Sequence, residues 1–269
     1  MASTSITLVA ERIDTGARLA IGDTDLNLLR ELSEAHLLRC VHCGGALVLK
    51  AGSVRLHHFA HVSHDGCDYP DRETETVSHR LGKSQLYQHF RAGAQAAALE
   101  YRIVQTDQRA DCYIRGANGQ PYALEFQQAN NSADHWAMRR RLYHEAGLRD
   151  IWFLGQVRYK ESVTEPPRPI SPYEPLPIVR DRFEAAAGAF MVREMEKAML
   201  ADDSRLIYLD PDTAQLTILL LRVLSGNTLR AYRYRLPLAD AELRDGVLWT
   251  PLDPLLTDYW RLRDRHRAS

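Results

Sequence analysis

Two short runs of alternating side chains, separated by an Asn-Gly pair, constrain the fold of this chain more than any other feature. In residues 109–115 small or apolar side chains occupy every second position, and residues 122–127 repeat the pattern. This alternation is typical of β-strands that bury one face. Asn118 and Gly119 lie between the runs, and this dipeptide favours a tight hairpin turn. We therefore expect an antiparallel hairpin whose apolar face joins a core.

The polar face of this hairpin carries two carboxylates. If the apolar faces of both strands join one core, Asp111 and Glu125 share the opposite face. Two carboxylates on rigid strands can bind a divalent cation such as Mg²⁺ or Mn²⁺ and leave coordination positions open for phosphate and water. This is the minimal arrangement for metal-assisted cleavage of a phosphodiester. The alternative is an ordinary hairpin with one solvated face.

The length of the hairpin connection decides whether that acidic face forms. A two-residue loop would pair Asp111 with an apolar residue and bury an unpaired carboxylate. An odd-length loop restores the acidic face, and Pro121 favours it because proline has no N–H for the ladder. We predict a connection over residues 117–121, with Asp111 opposite Gln127 and diagonal to Glu125. The two carboxylates should then converge within about 6 Å, near enough for one cation.

Composition indicates an ordinary globular protein without a basic surface. The chain has 269 residues, of which 45% are hydrophobic and 26% charged, a length that suits one large or two small domains. The formal net charge is −1, so any contact with nucleic acid must come from local clusters. We expect neither a signal peptide nor a membrane span. Four cysteines, two of them as Cys-x-x-Cys, are not typical of a disulfide framework and favour the reducing cytoplasm.

A cluster of cysteines and histidines in the first quarter of the chain indicates a metal site. Cys40 and Cys43 are followed by His58 and His61 and then by Cys67. Three thiolates and an imidazole form a tetrahedral ligand set of the kind that Zn²⁺ prefers. We expect His61 to be the fourth ligand, with His58 as the alternative. Four protein ligands leave no open position, so the zinc would be structural. Reduced cysteines that merely pack, or a catalytic zinc, are the alternatives.

Three polar residues are spaced at four-residue intervals on an expected helix. Glu75, His79 and Lys83 would lie along one stripe of that helix. A solvated charged stripe is the simpler interpretation. The functional interpretation is a third carboxylate and a proton-handling pair directed at the same cation, with His79 hydrogen-bonded to a neighbouring carboxylate. Lys83 would then supply the positive group that many nucleases place where this chain has Gln127.

Three consecutive arginines follow the hairpin on another expected helix. Arg139, Arg140 and Arg141 precede Tyr143, and such a cluster can follow a phosphate backbone. A cluster of charges on a helix is more often solvated. Both interpretations stay open at this point.

Proline content and the periodicity of apolar residues divide the chain into segments. Six of the twelve prolines lie between Pro166 and Pro177, which indicates a semi-rigid linker. Before the linker we expect a hairpin over residues 6–21, a helix from Thr24 through Leu38, a helix over 74–99, a short strand, the hairpin described above, a helix over 132–146 and a strand over 151–154. After it we expect a helix over 181–200, a β-meander over 205–210, 215–224 and 229–236, a strand near Val247 and a closing helix after Asp258. The predicted domains are residues 1–70, 71–160, 161–178 (the linker) and 179–269.

Several of these motifs, taken in their order along the chain, indicate a family. They are Cys40-x-x-Cys43, His58-Phe-Ala-His61, Cys67, Glu75-x-x-x-His79-x-x-x-Lys83, Arg109-Ala-Asp111, Glu125-x-Gln127 and Trp152. With them the chain resembles the competence-protein CoiA-like family over about residues 8–156. The resemblance implies a PD-(D/E)XK-type nuclease core preceded by a small zinc-binding module. It makes Glu75, Asp111 and Glu125 the acidic set and puts Gln127 in the usual lysine position. The chain departs mildly from the pattern at Thr76, where serine is expected.

These observations predict an α/β (α+β) fold: a restriction-endonuclease-like mixed sheet flanked by helices, with a small N-terminal zinc module and a C-terminal α+β appendage. The predicted function is divalent-metal-dependent cleavage of DNA. Asp111 and Glu125 would hold Mg²⁺ or Mn²⁺, and Glu75 would complete the site. Lys83 or Gln127 would position the attacking water.

Two other classes of protein compete with this prediction. The first is a zinc-stabilised DNA-binding protein whose nuclease site is vestigial; the retained acidic set argues against it, and the missing lysine argues for it. The second is a zinc-dependent hydrolase that uses His58 and His61. The surplus of thiolates disfavours a hydrolytic zinc.

Overall fold

The N-terminal part of the chain consists of two small antiparallel sheets and one helix. The computed structural model describes residues 6–52, 56–63, 67, 76–170, 183–254 and 256. The first elements are β1 (Ile6–Thr7), β2 (Val9–Arg12), β3 (Arg18–Ala20), α1 (Leu26–Glu34), β4 (Leu38–Arg39), β5 (Leu47–Lys50) and β6 (His58–His61). One sheet has the strand order β1-β6-β5 and the other β3-β2-β4. The pairing of β2 with β3 confirms the predicted hairpin.

The first helix differs from its prediction at both ends. Its N-cap is Asp25 rather than Thr24, and the Asp25 carboxylate accepts hydrogen bonds from two first-turn N–H groups at 3.0 and 3.1 Å. α1 ends at Glu34. The chain turns there because His36 has a φ of 56°, and Leu38 enters β4 instead of the helix.

The central part follows the predicted order of helix, three strands, helix and strand. Its elements are α2 (Val77–Phe90), β7 (Ala96–Ile103), β8 (Gln108–Arg115), β9 (Pro121–Gln127), α3 (Ala133–Glu145) and β10 (Arg149–Gly155). Strands β7, β8 and β9 are antiparallel neighbours, and β10 pairs with β9 in parallel.

The helices α2 and α3 cover opposite faces of these strands. Leu124 and Phe153 belong to the same core cluster as Leu86 of α2. Trp152, adjacent to Phe153 in β10, belongs to the cluster that contains Tyr143 of α3. Because successive strand residues point to opposite faces, the sheet is the middle layer of three.

α2 is shorter than the helix predicted over residues 74–99. It ends at Phe90, and Gly93 with a φ of 79° follows the helix end. The alanines at 96–98 lie in β7, where they pair with β8. Alanine favours helices, but pairing with a neighbouring strand overrides that local preference.

The C-terminal strands extend the same sheet. Their elements are β11 (Arg168–Pro169), β12 (Glu184–Met191), α4 (Glu194–Asp203), β13 (Arg205–Asp210), β14 (Gln215–Ser225), β15 (Thr228–Pro237), β16 (Glu242–Arg244) and β17 (Val247–Trp249). Strands β13 to β15 form the predicted meander, and β13 pairs with β10 in parallel. The sheet has the order β11-β12-β15-β14-β13-β10-β9-β8-β7. This large mixed sheet flanked by helices confirms the predicted α+β class.

The predicted helix over residues 181–200 is wrong over β12 and right from residue 194 onward. The described residues of this stretch form β12 and then the start of α4. A Cβ at Gly188 of β12 would lie 2.7 Å from the Cα of Pro167, so the glycine lets the proline-rich segment pass close to the strand. The alanines of β12 therefore serve close packing between strands rather than helix formation.

Some predictions concern residues outside the described ranges. These are Glu75, residues 171–178 of the proline linker and the closing helix after Asp258. Within the described ranges, no helix is both long enough and apolar enough to cross a membrane. The division into domains at residues 70, 160 and 178 stays a prediction.

Candidate active site

Strands β8 and β9 separate where the two candidate carboxylates lie. Their ladder ends at the pair Cys112↔Leu124. Beyond it, β8 continues along β7 and β9 continues along β10. Asp111 and Glu125 are the next residues of the two strands, so they lie at the apex of the gap. We call this apex, with the side chains that contact Asp111 and Glu125, the β8–β9 fork.

The connection between β8 and β9 confirms the predicted odd length but not the predicted register. It consists of the five residues 116–120, and the first pair of the ladder is Arg115↔Pro121. This register differs by two residues from the predicted one and brings Asp111 into line with Glu125. A backbone hydrogen bond of 2.9 Å between the first and last loop residues closes the connection. Pro121 is the first residue of β9, a position that tolerates its missing N–H.

Asp111 is held by α2 and by the backbone of β9. Its Oδ2 accepts a hydrogen bond from the N–H of Phe126 at 2.9 Å and lies 3.4 Å from Nε2 of His79. Its Oδ1 lies 4.0 Å from Nζ of Lys83, and 13% of the side chain is exposed. Burial alone would raise the pKa of Asp111, but the His79 and Phe126 contacts and the Lys83 charge lower it below its ordinary value. The carboxylate is therefore ionised at neutral pH, and the predicted contact between His79 and a carboxylate is present.

Glu125 is held from the other layer by α3. Its Oε1 accepts hydrogen bonds from Nη2 of Arg139 at 2.9 Å and from the hydroxyl of Tyr143. Nη2 of Arg139 also donates to the carbonyl oxygen of Arg109 in β8 at 2.9 Å, and the Tyr143 hydroxyl oxygen lies 3.2 Å from the same carbonyl oxygen. Burial raises the pKa of Glu125 to about 7; the charge of Arg139 opposes this shift and that of Asp111 adds to it. Glu125 therefore titrates near neutral pH.

The sequence predicted that the two carboxylates would share one face of a regular hairpin. In the structure they do not. Asp111 takes its side-chain partners from α2, whereas Glu125 takes them from α3. The difference arises at the fork, where β8 twists: Cys112 belongs to the α2-side core, but Ala110 belongs to the α3-side core. A cation bound by both carboxylates would therefore lie in the gap between the strands.

A buried ion pair behind Asp111 was missed by the sequence reasoning. Glu100 of β7 accepts a hydrogen bond from Nζ of Lys83 at 3.0 Å, and each side chain is only 1% exposed. The Thr7 hydroxyl and, at 3.2 Å, the N–H of Leu8 donate to the same carboxylate. Burial opposes ionisation, but Lys83 and the Thr7 hydroxyl lower the pKa of Glu100 to about 2. The sequence offered one indication of this pair, namely a charged residue, Glu100, directly after four apolar residues of β7.

Gln127 lies two residues beyond Glu125, and its amide is engaged by the loop that follows β9. Its Nε2 donates to the carbonyl oxygen of Ala129 at 3.0 Å, and its Oε1 accepts from Nδ2 of Asn131 at 3.0 Å. The side chain is buried. Its amide orientation is therefore fixed by these two neighbours.

The three consecutive arginines of α3 have three different environments. Arg139 is buried in the fork. Arg140 forms ion pairs with Asp150 at 2.9 Å and with an aspartate of α4 at 2.7 Å. The Arg141 side chain is 69% exposed. Of the three, Arg141 is the one that faces solvent.

The predicted cysteine and histidine ligands come together in the N-terminal part of the chain. The Sγ atoms of Cys40, Cys43 and Cys67 and a ring nitrogen of His61 lie within 4.8 Å of one another. Backbone N–H groups of residues 42 and 45 donate to two of the sulfurs at 3.4 and 3.3 Å. This Cys₃His group can hold a metal such as zinc.

His61, and not the alternative His58, completes this group. His58 is buried, and its Nδ1 lies 2.9 Å from the carbonyl oxygen of Leu56. Two strand residues three positions apart point to opposite faces, which explains the difference. Burial raises the pKa of the Cys40 thiol to about 12, so a bound cation would be needed to stabilise three thiolates here.

Two family models match the parts of the chain that carry these sites. The competence protein CoiA nuclease-like domain matches residues 75–166, which include the β8–β9 fork. The competence protein CoiA N-terminal domain matches residues 23–70, which include the Cys₃His group. The chain belongs to the CoiA-like family. It therefore combines the N-terminal domain and the nuclease-like domain of a competence-related family.

A curated relative supports this assignment over part of its length. Competence protein CoiA of Bacillus subtilis (strain 168) is 31% identical to the chain over 125 residues. The alignment covers 46% of the chain and 33% of the relative, so it spans about a third of the relative's length. No solved structure matches the chain.

Proposed function

We propose that this CoiA-like chain is a divalent-metal-dependent nuclease that cleaves DNA phosphodiester bonds, with its cation in the β8–β9 fork. The observation that carries the proposal is the fork itself, because two strands diverge where each presents a carboxylate. Carboxylate oxygens are the ligands that Mg²⁺ and Mn²⁺ prefer. The nuclease-like domain of the family supports the same activity.

Binding of the cation would be coupled to the protonation of Glu125. With a pKa of about 7, this carboxyl group is partly protonated at neutral pH. A metal ligand must be deprotonated, so the affinity for the cation should rise as the pH rises through about 7. A cation between Glu125 and Asp111 would also remove the repulsion that contributes to the raised pKa. Cleavage should follow the same pH dependence.

The other candidate residues of the site have distinct roles in this proposal. His79 and Lys83 keep Asp111 ionised and fix its orientation. Gln127 orients the attacking water by a hydrogen bond, and because its amide is neutral, the positive charge near the cation comes from Lys83 and Arg139. Glu75 lies outside the described residues, and its place in the acidic set rests on the resemblance to the CoiA-like family.

The arginines of α3 divide between positioning and DNA contact. Arg139 donates to Glu125 and so positions a metal ligand. Arg140 is occupied by two aspartates. Arg141 is the arginine of this cluster that we assign to the phosphate backbone, because its side chain is 69% exposed and its ion pair with Glu145, at 3.5 Å, lies at the surface.

Zinc has a structural role in the proposal. A Cys₃His set fills all four tetrahedral positions, which leaves none for a substrate. The site lies in the proposed N-terminal module, residues 1–70, ahead of a nuclease core over 71–160, a linker over 161–178 and the C-terminal region. All four cysteines are free thiols, and a reducing cytoplasm would keep them available for zinc.

A second candidate function is DNA binding by a zinc-stabilised protein with a vestigial nuclease site. One observation favours it: Glu125 is already paired with Arg139 and Tyr143, and Asp111 with His79 and the Phe126 N–H. A cation would have to share these carboxylates with their protein partners.

Incubation of the zinc-loaded protein with end-labelled DNA separates the two functions. Single-stranded, duplex and branched DNA are each tested with added Mg²⁺, with Mn²⁺ and without either cation, so that zinc stays in place throughout. The nuclease proposal predicts cleavage of at least one DNA form only when Mg²⁺ or Mn²⁺ is present. Protein that binds DNA and cuts none of the forms would establish the binding function instead.

A further inference from the structure

The loop after β9 is held by arginine side chains from two other segments of the chain. We call residues 128–131 the β9–α3 loop. Arg158, in the 3₁₀ turn that follows β10, donates from Nη1 to the carbonyl oxygen of Ala129 and, at 3.4 Å, to Oδ1 of Asn130. Arg193, at the start of α4, donates to the same Asn130 oxygen. Two guanidinium groups therefore fix one short loop.

The direction of the Arg158 guanidinium is set by Glu196 of α4. Nε and Nη2 of Arg158 donate to Oε1 of Glu196 at 2.9 and 2.7 Å. Both side chains are 1% exposed. The guanidinium is planar, so two nitrogens bound to Glu196 leave Nη1 directed at Ala129. Because both partners are desolvated, Arg158 has no solvated alternative to its contact with Glu196.

The carbonyl group of Ala129 connects this pair to Gln127. It accepts hydrogen bonds both from Arg158 and, at 3.0 Å, from Nε2 of Gln127. Asn131, in the same loop, donates to the other end of the Gln127 amide at 3.0 Å. The position of the loop therefore decides which way the Gln127 amide oxygen and nitrogen point.

We infer that α4 is a functional part of the nuclease site: Glu196, acting through Arg158, positions the β9–α3 loop and with it the Gln127 amide. The inference rests on the proposed function, in which Gln127 orients the attacking water. Glu196 and Arg158 are positioning residues, because they act on Gln127 through the Ala129 carbonyl. The inference also gives a role to a segment that lies beyond residue 166, where the nuclease-like match ends.

Glu196→Gln is the variant that tests this inference. It keeps the size of the side chain and an acceptor for Arg158 but removes the charge that holds the guanidinium. Glu194→Gln is the matched control, because Glu194 lies on the same helix with 74% of its side chain exposed. Amide hydrogen exchange and the side-chain amide NMR signals of Gln127 are measured for the full chain loaded with zinc.

We expect exchange in the β9–α3 loop to become at least about tenfold faster in Glu196→Gln and to stay unchanged in Glu194→Gln. The Gln127 signals should shift in the first variant alone. In the cleavage assay, kcat should fall by about tenfold while KM changes less than about twofold, since a misplaced amide impairs the chemical step rather than DNA binding.

Unchanged loop exchange and Gln127 signals in Glu196→Gln would overturn the inference, whatever the cleavage rates. Faster loop exchange in a protein that never cleaves DNA would uphold the positioning role and reject the nuclease proposal. If Glu196→Gln does not fold, Arg158→Lys supplies the test, because lysine keeps the positive charge beside Glu196 but cannot also donate to Ala129 as Nη1 of Arg158 does. Unchanged loop exchange in that variant would likewise overturn the inference.

Discussion

Replacement of Glu100 by glutamine tests the buried ion pair that supports Asp111. The variant leaves the Lys83 ammonium, whose side chain is 1% exposed, beside a neutral amide. Breaking a buried pair by removing one partner costs about 3–5 kcal/mol, because the remaining charge stays desolvated. The pKa of Glu100 gives a similar magnitude. Its fall from 4.5 to about 2 on folding corresponds to about 3 kcal/mol in the free energy of unfolding. We therefore expect the free energy of unfolding at neutral pH to fall by about 3 kcal/mol.

Urea unfolding followed by circular dichroism, with zinc present, measures this difference as a function of pH. The pKa of Glu100 is lowered on folding, so its ionised form stabilises the fold above its ordinary pKa of 4.5. That contribution is lost as the pH falls through the folded value of about 2. The difference between wild type and Glu100→Gln should therefore be constant near neutral pH and shrink below about pH 4.5.

Asp107→Asn is the control for this experiment. Asp107 pairs with Arg102 at 2.7 Å in the turn that joins β7 to β8, and their side chains are 73% and 60% exposed. Exposed pairs contribute about 0–1 kcal/mol, so this variant should unfold almost like wild type. A Glu100→Gln protein that is as stable as Asp107→Asn at neutral pH would refute the reasoning about the buried pair.

Three further variants test other parts of the structure. Tyr143→Phe removes a hydrogen bond that lowers the pKa of Glu125, so the pH midpoint of Mn²⁺ binding measured by calorimetry should rise; an unmoved midpoint would exclude Glu125 as a ligand. Gly82→Ala would place a Cβ 2.2 Å from the Phe126 ring, and thermal unfolding should show a loss of about 1–3 kcal/mol; wild-type melting would mean that the ring has room to move. Metal analysis should find about one zinc per chain, and Cys40→Ser should lower both zinc content and melting temperature; a zinc-free wild type would defeat this assignment.

The elements with strong local signals could be predicted from the sequence. α3 is an example, because Ser132 caps it by accepting a hydrogen bond from the N–H of His135 at 3.1 Å, and Gly147 with a φ of 77° follows its end. Strands β8 and β9 were indicated by their alternation. The contact of His79 with Asp111 was foreseen as a contact with a neighbouring carboxylate.

Features that depend on distant neighbours could not be predicted in this way. The alanine-rich stretches of β7 and β12 favour helices locally and become strands because β8 and β15 pair with them. The ionised Glu100 depends on Thr7 of the first strand, a contact with no signal in the local sequence. Arg139 is buried because it pairs with Glu125, which lies on a different element. The run of three arginines by itself therefore did not indicate that their environments differ.

The geometry of the two carboxylates could be predicted only in part, again because it depends on neighbouring strands. Alternation and the odd-length connection bring Asp111 and Glu125 to the same level of the hairpin. The separation of β8 from β9 is decided by β7 and β10, which each strand follows beyond the pair Cys112↔Leu124. The sequence of the hairpin alone therefore does not indicate where β8 and β9 separate.

The most direct test of the nuclease account is the cleavage rate of Asp111→Asn. The substitution removes a charge at nearly constant volume, and the melting temperature verifies that the fold is retained. With zinc retained and Mn²⁺ or Mg²⁺ added, the account predicts that wild type and the Asp107→Asn control cleave DNA at similar rates. Asp111→Asn should retain DNA binding and lose cleavage. Cleavage by a folded Asp111→Asn at the wild-type rate would contradict the placement of the cation in the β8–β9 fork.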